Sequence, residues 1–389
     1  MTEPFGTLNP SPRLLLGPGP SQISPRVLRA CAAPLLGYLD PEYVGLMDET
    51  QQLLRFVFQT ENEWAFCAPG TGMAGMEASF VNLVEPGDAV LVCVNGIFGE
   101  RMVEIARRCG AMVHRVDADW GTAIRPEQVK EALHKVRPKV VSIVHGETST
   151  GVLQPVDEIG ALAHEMGALF VLDCVTTLGG VPVKLDEWRV DVAYSGTQKC
   201  LGAPPSLAPM SLSAAAVEAY KARQAPVQSF YLDAGQIWRY WGPERGYHQT
   251  GMINMIYALR EALLMIKEEG LEARYARHVR NQRALLAGLE AMGLPPVVED
   301  PAVRLPPLTT VRVPEGVDDK AARGQLLAKY GIEVGGGLGK FAGKAWRIGL
   351  MGYASQQANV MLLLAALGDV LKIEAVDDGL AAAAAVYAD

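Results

Sequence analysis

Short apolar runs alternate with amphipathic segments in the first half of the chain, and this alternation constrains the fold more than any other feature. The runs are residues 64–68, 89–94, 112–116, 140–144 and 169–172, and each has the length of one strand. Helices between such strands return the chain across the sheet, so that successive strands run in the same direction. The pattern predicts an α/β large domain with a mostly parallel sheet that is flanked by helices.

The intervening segments have helical signals of their own. Residues 99–109 place Met102, Val103, Ile105 and Ala106 along one face, and Pro126 stands where a helix begins. Residues 224–251 lose this periodicity and contain six aromatic side chains, which is typical of a long functional loop or an interface.

The rest of the chain predicts a second domain. A helical pattern covers residues 252–292 with an interruption near Gly270, and strand and helix signals recur at 309–313, 320–330, 346–348 and 356–371. These signals indicate a smaller C-terminal α+β domain, and a length of 389 residues is enough for two cores. The alanine-rich residues 380–386 predict a short helix at the end.

Composition excludes several classes of function. The chain has 35 basic and 43 acidic residues, a net charge of −8, so we expect no basic face for nucleic acid or an anionic membrane. The longest uncharged stretch, residues 200–217, contains three prolines and cannot form a membrane helix. The six cysteines lack metal-ligand spacing, so we expect no metal site and reduced thiols in a cytoplasmic protein.

Lys199 and Asp173 are the candidate catalytic pair. Asp173 ends an apolar run, and Lys199 follows it by 26 residues in the segment Tyr194-Ser195-Gly196-Thr197-Gln198-Lys199. Pyridoxal phosphate needs an amine that holds its aldehyde as a Schiff base and a carboxylate that keeps its ring nitrogen protonated. The alternative is a solvated surface lysine with an aspartate that caps a helix or forms a turn.

A glycine-rich segment at residues 70–75 fits the pattern GxGxxG and follows a predicted strand. A dinucleotide site also requires an acidic residue at the end of the next strand, where this chain has Asn95. The segment better suits a phosphate group, because glycines and a helix N-terminus expose backbone N–H groups and Thr71 adds a hydroxyl. A tight turn without a ligand is the alternative.

Three further segments end predicted strands on the side where open α/β sheets bind ligands. Phe98 could stack on a pyridine ring, Thr148 could bond its hydroxyl, and Val175 could pack on its opposite face. Core packing is the alternative for Phe98 and Val175. Arg347 stands in an apolar run, where a guanidinium needs a partner, either an internal carboxylate or the carboxylate of an amino-acid substrate.

These motifs resemble those of the class V, fold type I pyridoxal phosphate aminotransferases, in the alanine–glyoxylate and serine–pyruvate group. The resemblance covers nearly the whole chain and depends on residues 16–21, 69–72, 95–99, 145–151, 195–199, 247–250 and 346–353. It implies a ping-pong transaminase that moves the amino group of alanine or serine to glyoxylate or pyruvate. It also implies a homodimer with shared active sites that acts on small amino acids and 2-oxo acids.

The same resemblance implies roles for individual residues. Lys199 and Asp173 are the catalytic pair, and the cofactor pyridoxal 5'-phosphate is bound by these two residues with Thr71, Gly72, Met73, Phe98, Thr148, Val175, Gln198, Tyr247 and Thr250. Tyr247 and Thr250 reach the neighbouring subunit's phosphate across the dimer. The substrate-binding residues are Arg347, Gly19 and Tyr38. Residues 1–22 contribute to the active site and the dimer, residues 23–265 form the cofactor-binding domain, and residues 266–389 form the small domain.

Some positions depart from the pattern or fit a related branch. Phe98 and Met73 stand where relatives can carry tryptophan and histidine, so cofactor stacking and phosphate contacts are expected to be weaker.

The (S)-ureidoglycine–glyoxylate aminotransferases share several motifs but have amide side chains where this chain has Tyr38 and Tyr247, which favours a smaller donor here. Cysteine desulfurases place histidine before the lysine, where this chain has Gln198, and a cofactor-binding sensor would carry a DNA-binding segment.

Overall fold

The computed structural model describes residues 6–388, in which strands and helices alternate. The strands are β1 (Leu14–Leu15), β2 (Trp64–Pro69), β3 (Ala89–Val94), β4 (Met112–Asp117), β5 (Val140–Val144), β6 (Gly146–Glu147), β7 (Val152–Leu153), β8 (Leu169–Asp173), β9 (Val192–Tyr194), β10 (Leu207–Leu212), β11 (Leu308–Arg312), β12 (Ile332–Glu333), β13 (Gly335–Gly336) and β14 (Ala345–Gly349). All five strands predicted from the alternation are present.

The helices surround these strands. They are α1 (Pro25–Cys31), α2 (Pro41–Phe58), α3 (Gly72–Leu83), α4 (Ile97–Arg108), α5 (Pro126–Val136), α6 (Ile159–Glu165), α7 (Ala214–Lys221), α8 (Ala234–Trp241), α9 (Ile253–Glu269), α10 (Leu271–Ala291), α11 (Asp319–Tyr330), α12 (Gln357–Leu371) and α13 (Val376–Ala388), with short 3-10 turns at Pro301–Val303, Gly339–Phe341 and Gly352–Ala354. Gly270, at φ +83°, separates α9 from α10 as the interruption in the pattern predicted.

The central sheet has seven strands in the order β2, β10, β9, β8, β5, β3, β4. Strands β3, β4, β5, β8 and β9 pair in parallel, and β10 is antiparallel to both of its neighbours. The register aligns Asp173 with Val144 on one side and with Tyr194 on the other. The carboxyl ends of three central strands therefore meet at one edge, and the predicted α/β class with a mostly parallel sheet is confirmed.

A smaller sheet lies in the C-terminal part of the chain. Strand β14 is its centre and pairs antiparallel with β11 and β13, while β1 from the start of the chain pairs in parallel with β12. Leu16, Trp346, Ile348 and Leu364 belong to the hydrophobic core of this part, which is separate from the core that surrounds the central sheet. The predicted helix at residues 380–386 is confirmed within α13.

Two features bear on the predicted organisation. Residues 224–251 do not form an uninterrupted loop as expected, because α8 forms within them and buries Ile237, Tyr240 and Trp241 against the large core. Within residues 6–388 no helix has both the length and the apolar character to cross a bilayer. We propose the domain boundary near residue 265 on the basis of the two cores, although this position falls inside α9.

Candidate active site

Asp173 and Lys199 come together at the carboxyl edge of the central sheet. Asp173 is the last residue of β8, and its Oδ1 accepts a hydrogen bond from the backbone N–H of Val175 at 2.9 Å. Its Oδ2 accepts a hydrogen bond from the hydroxyl of Tyr194 at 2.8 Å. Lys199 follows β9, is 9% exposed, and donates a hydrogen bond from Nζ to the carbonyl of Pro18. The alternative of a solvated surface lysine does not hold in this structure.

Burial shifts the ionisation of both groups toward neutrality. The pKa of Lys199 is lowered from 10.5 to about 8. Burial is the larger cause, and the positive charge of Arg347 is the second. Burial raises the pKa of Asp173 from 3.8 to about 7, against the opposing effect of hydrogen bonds from Val175 and Tyr194. A reactive amine and a carboxyl group that can hold a buried proton therefore lie in one site.

A cavity of about 210 Å³ opens beside this pair. Nine residues predicted from the sequence line it: Thr71, Gly72, Met73, Phe98, Thr148, Asp173, Val175, Gln198 and Lys199. Residues from five separate segments are thus assembled around one space. Met76, Arg101, Val144, Gly146 and Thr176 also line the cavity and were not singled out from the sequence.

The glycine-rich segment forms one end of the cavity. Thr71 precedes the first residue of α3, and its side chain makes no capping hydrogen bond, which leaves the hydroxyl available to a ligand. A Cβ atom on Gly72 would lie 2.8 Å from Cγ2 of Val175, so only glycine allows this close approach. The N–H groups in the first turn of a helix have no intrahelical acceptor, and they form a ready site for a phosphate group.

The polar groups that remain unsatisfied fit a phosphorylated cofactor. The side-chain oxygen of Gln198 is buried and has no hydrogen-bond partner in the part of the chain that the structure describes. An amide can turn to present either its oxygen or its nitrogen, so Gln198 can donate to an anion at the start of α3. The cavity therefore combines an amine, a carboxyl group and an anion site, which are the groups that pyridoxal phosphate requires.

Glu147 supports the cavity wall and was missed as a functional residue by the sequence analysis. It is fully buried, and its Oε2 accepts from the backbone N–H of Phe98 at 3.0 Å. Its Oε1 accepts from the N–H and the hydroxyl of Ser149, at 3.0 and 2.6 Å. A Cβ atom on Gly96 would lie 2.3 Å from Cγ of Glu147. An acidic residue three positions after the apolar strand β5, in the segment that ends at the ligand-binding edge of the sheet, was the signal that could have identified it.

Arg347 is buried without a carboxylate beside it. It lies at the centre of β14, is 9% exposed, and donates from Nε to the carbonyl of Gly336 at 2.7 Å. No ion pair within residues 6–388 includes it. Burial lowers the pKa of Arg347 to about 10, and Glu147 opposes this shift. The internal salt bridge considered from the sequence is thus not formed in the described residues.

The other predicted residues lie outside the cavity wall. Gly19, at φ +107°, approaches Lys199 so closely that a Cβ atom would lie 2.7 Å from the lysine Cδ. The rings of Tyr38 and Tyr247 contact each other with centroids 5.2 Å apart. Tyr247 is 55% exposed and Thr250 is also exposed, so neither reaches the cavity of its own chain.

The fold and the site together define a class of enzyme. A lysine and an aspartate at the carboxyl ends of a mostly parallel sheet, next to a glycine-rich helix start, define a pyridoxal phosphate-dependent transferase of fold type I. The family model described as Aminotransferase class-V matches residues 14–360. The chain belongs to this family, is an aminotransferase, and uses pyridoxal 5'-phosphate.

Similar proteins carry two names. The chain is 42% identical over 377 residues to the (S)-ureidoglycine–glyoxylate transaminase of Bacillus subtilis, with 92% of this chain and 90% of that protein covered. It is also 42% identical over 364 residues to the alanine–glyoxylate aminotransferase of Callithrix jacchus, with 92% and 88% covered.

Solved structures give the same two names. The alanine–glyoxylate aminotransferase of Nostoc sp. is similar with a TM-score of 0.93 at 48% identity, over 94% of this chain and 97% of that one. The ureidoglycine–glyoxylate aminotransferase of Bacillus subtilis is similar with a TM-score of 0.96 at 43% identity, over 99% and 100% of the two chains.

Proposed function

We propose that this enzyme transfers the amino group of alanine or serine to glyoxylate or pyruvate in two half-reactions. The observation that carries the proposal is Arg347, a buried guanidinium without a carboxylate partner in the described residues, near the amine of Lys199. An α-amino acid supplies the missing carboxylate and places its amino group toward the lysine. The relatives named for glyoxylate support the acceptor.

Lys199 is the proposed proton carrier. Bound pyridoxal phosphate supplies an electrophilic aldehyde and an aromatic ring that accepts electrons from the substrate α-carbon. Once the substrate amine has displaced it, Nζ of Lys199 would take the proton from the substrate α-carbon and deliver it to the former aldehyde carbon, so that hydrolysis can release the keto acid. The burial that lowers its pKa to about 8 makes Nζ an effective base near neutral pH. Release of the first keto acid before the second substrate binds gives ping-pong kinetics.

The remaining residues hold and orient the cofactor in this proposal. Asp173, fixed by Tyr194, would pair with the ring nitrogen and keep it protonated. The backbone of residues 72–73, the Thr71 hydroxyl and the Gln198 amide would hold the phosphate at the start of α3. Phe98 and Val175 would pack against the ring, and Thr148 would bond its hydroxyl group.

The segment of residues 16–21 limits the size of the donor. Ser21 donates from Oγ to the carbonyl of Lys199 at 2.7 Å, and the N–H of Gly349 donates to the carbonyl of Leu16 at 2.8 Å. The segment therefore joins the lysine to the strand that carries Arg347, with Gly19 against the lysine side chain. In this proposal Gly19 covers one side of the lysine side chain, which favours the small donors alanine and serine.

A second candidate is (S)-ureidoglycine as the donor. The similarity to the Bacillus subtilis enzyme of that name over nearly the whole length of both chains favours it. Tyr38 and Tyr247, whose ring centroids are 5.2 Å apart, argue against it, because a tyrosine does not reproduce the hydrogen bonds of the amide side chains expected at these two positions in the ureidoglycine branch.

Single-turnover spectra separate the two candidates. The holoenzyme is mixed with alanine, serine, glycine, aspartate or ureidoglycine, and the decay of its visible absorbance gives a rate for each donor. We expect alanine and serine to react at least about tenfold faster than the others, the discrimination that pocket contacts provide. A faster reaction with ureidoglycine would establish the second candidate. No reaction with any of the five would reject both.

We propose that two chains share their active sites. Tyr247 and Thr250 are exposed in the single chain, and further apolar side chains, Leu35, Leu39, Phe230 and Tyr231, are 72%, 47%, 73% and 49% exposed. Large exposed aromatics are typical of interfaces. Sedimentation should give a dimer, and Thr250→Ala should weaken phosphate-dependent cofactor binding. A monomer that binds the cofactor with full affinity would refute the shared site.

We also propose that the protein works in a reducing compartment such as the cytoplasm. All six cysteines are free and five are buried, where burial raises the thiol pKa and makes the thiolate rare. Thiol titration of the protein unfolded without a reductant should count six free thiols. A count of none, with the six cysteines joined in disulfides, would refute the proposal.

A further inference from the structure

Arg101 lies at the edge of the cofactor cavity, one helical turn after Phe98 on α4. It lines the cavity together with Thr71 and Gly72. Its Nη1 atom is 3.3 Å from Sδ of Met73, the second residue of α3. The guanidinium is therefore beside the helix start at which the cofactor phosphate is proposed to bind.

The proposed phosphate site lacks a positive charge from its other members. A phosphate monoester carries about 1.5 to 2 negative charges near neutral pH, whereas a hydroxyl, an amide and backbone N–H groups are neutral donors. Of the described residues that line the cavity, the cationic ones are Lys199 and Arg101. Lys199 is engaged with the aldehyde in the proposed function. Arg101 is the cation that remains for the phosphate.

Arg101 is also free of a competing carboxylate. Its contacts within residues 6–388 are the thioether of Met73, a weak acceptor, and the ring of Phe98, whose centroid is 4.9 Å from Cζ. Arg108, two turns further along the same helix, is instead paired with Glu104 at 2.9 Å. The stacking on Phe98 holds the Arg101 side chain over the cavity edge and leaves its N–H groups for another acceptor.

We infer that Arg101 is a further cofactor-binding residue, whose guanidinium pairs with the phosphate group of pyridoxal phosphate. The planar fork of a guanidinium matches two phosphate oxygens, and such charge-assisted bonds are about twice as strong as neutral ones. The inference rests on the phosphate position given in the proposed function. Arg101, on α4, would then neutralise the negative charge of the phosphate at the start of α3.

Pyridoxal, which has the aldehyde and the ring but no phosphate, provides the test. Tryptophan fluorescence of the cofactor-free full chain gives the Kd of pyridoxal phosphate and of pyridoxal. Arg101→Gln should raise the Kd of pyridoxal phosphate about tenfold and change that of pyridoxal less than about twofold. Arg101→Lys, which keeps the charge but not the fork, should fall between Arg101→Gln and the unmodified chain. The matched control Arg108→Gln should change neither.

Two results would overturn the inference. One is a Kd for pyridoxal phosphate that Arg101→Gln leaves unchanged. The other is an equal loss for both compounds, because Arg101 would then act on the ring through Phe98. An error in the proposed phosphate position has a different signature, since Thr71→Ala would then also leave the Kd of pyridoxal phosphate unchanged, whereas it should raise that Kd if the phosphate lies at the start of α3.

Discussion

The amine of Lys199 should be far more reactive than an ordinary lysine at neutral pH. With its pKa lowered from 10.5 to about 8, about one amine in ten is uncharged at pH 7, against about one in 3000 for an ordinary lysine. The difference is about 300-fold in the form that attacks an aldehyde. A base with a lowered pKa is uncharged above that pKa. The rate at which cofactor-free protein captures pyridoxal phosphate should therefore rise through about pH 8 and level off above it.

Replacing Arg347 by glutamine tests the cause of this shift. The positive charge of Arg347 lowers the pKa of Lys199, second to burial, so Arg347→Gln should raise it. The midpoint of the rate profile should move to higher pH but remain below 10.5, because the burial persists. At pH 7 the capture rate should fall accordingly. Arg312→Gln, on the neighbouring strand β11 and paired with the exposed Glu299, is the matched control and should leave the midpoint in place.

Stopped-flow absorbance of cofactor binding over a series of pH values measures both midpoints. The cofactor has ionisations of its own, but they are common to all variants, so the comparison between variants isolates the lysine. A midpoint near 10.5 in the unmodified chain would refute the burial argument. Identical midpoints for the unmodified chain and Arg347→Gln would refute the assigned effect of Arg347.

The other predictions concern single side chains. Lys199→Ala should lose the visible absorbance of the bound cofactor and lower turnover by about 10³-fold or more, and retention of either would remove the lysine from its proposed role. Arg347→Ala should raise KM by about 100-fold, since it removes a charge-assisted contact with the substrate, with a smaller fall in kcat at pH 7 from the raised pKa of Lys199; an unchanged KM would make Arg347 structural. Glu147→Gln should lower the free energy of unfolding in urea by about 2 kcal/mol, because its amide cannot accept all three hydrogen bonds. A denaturation midpoint equal to that of the unmodified chain would contradict it.

Much of the fold could be predicted because it follows from local patterns. The run that ends at Asp173 becomes β8, and the pattern around Gly270 becomes two helices. Strand β10 was not predicted, since its antiparallel place between β2 and β9 depends on pairing with distant residues. Helix α8 was also not predicted. Its apolar face is short and lies in a polar, glycine-containing segment, and the face is identified only by its packing against the large core.

The sequence alone determined which chemical groups are present and that several of them end strands of one parallel sheet. That was enough to predict the shared position of Asp173 and Thr71, because the carboxyl ends of parallel strands meet at one edge. Lys199 was expected beside them from the needs of the cofactor and the family motif, since the strand before it, β9, was not predicted.

Only the tertiary structure decided the environment of each group. It placed Tyr194 on Asp173, Glu147 behind Phe98, and Gly19 against Lys199, and it left Arg347 without a carboxylate in the described residues. These contacts join residues that are far apart in the chain. Burial and charge act through space, so they depend on distances that exist only once the two cores have packed. These distances set the pKa of Lys199 and decide whether Arg347 has a partner.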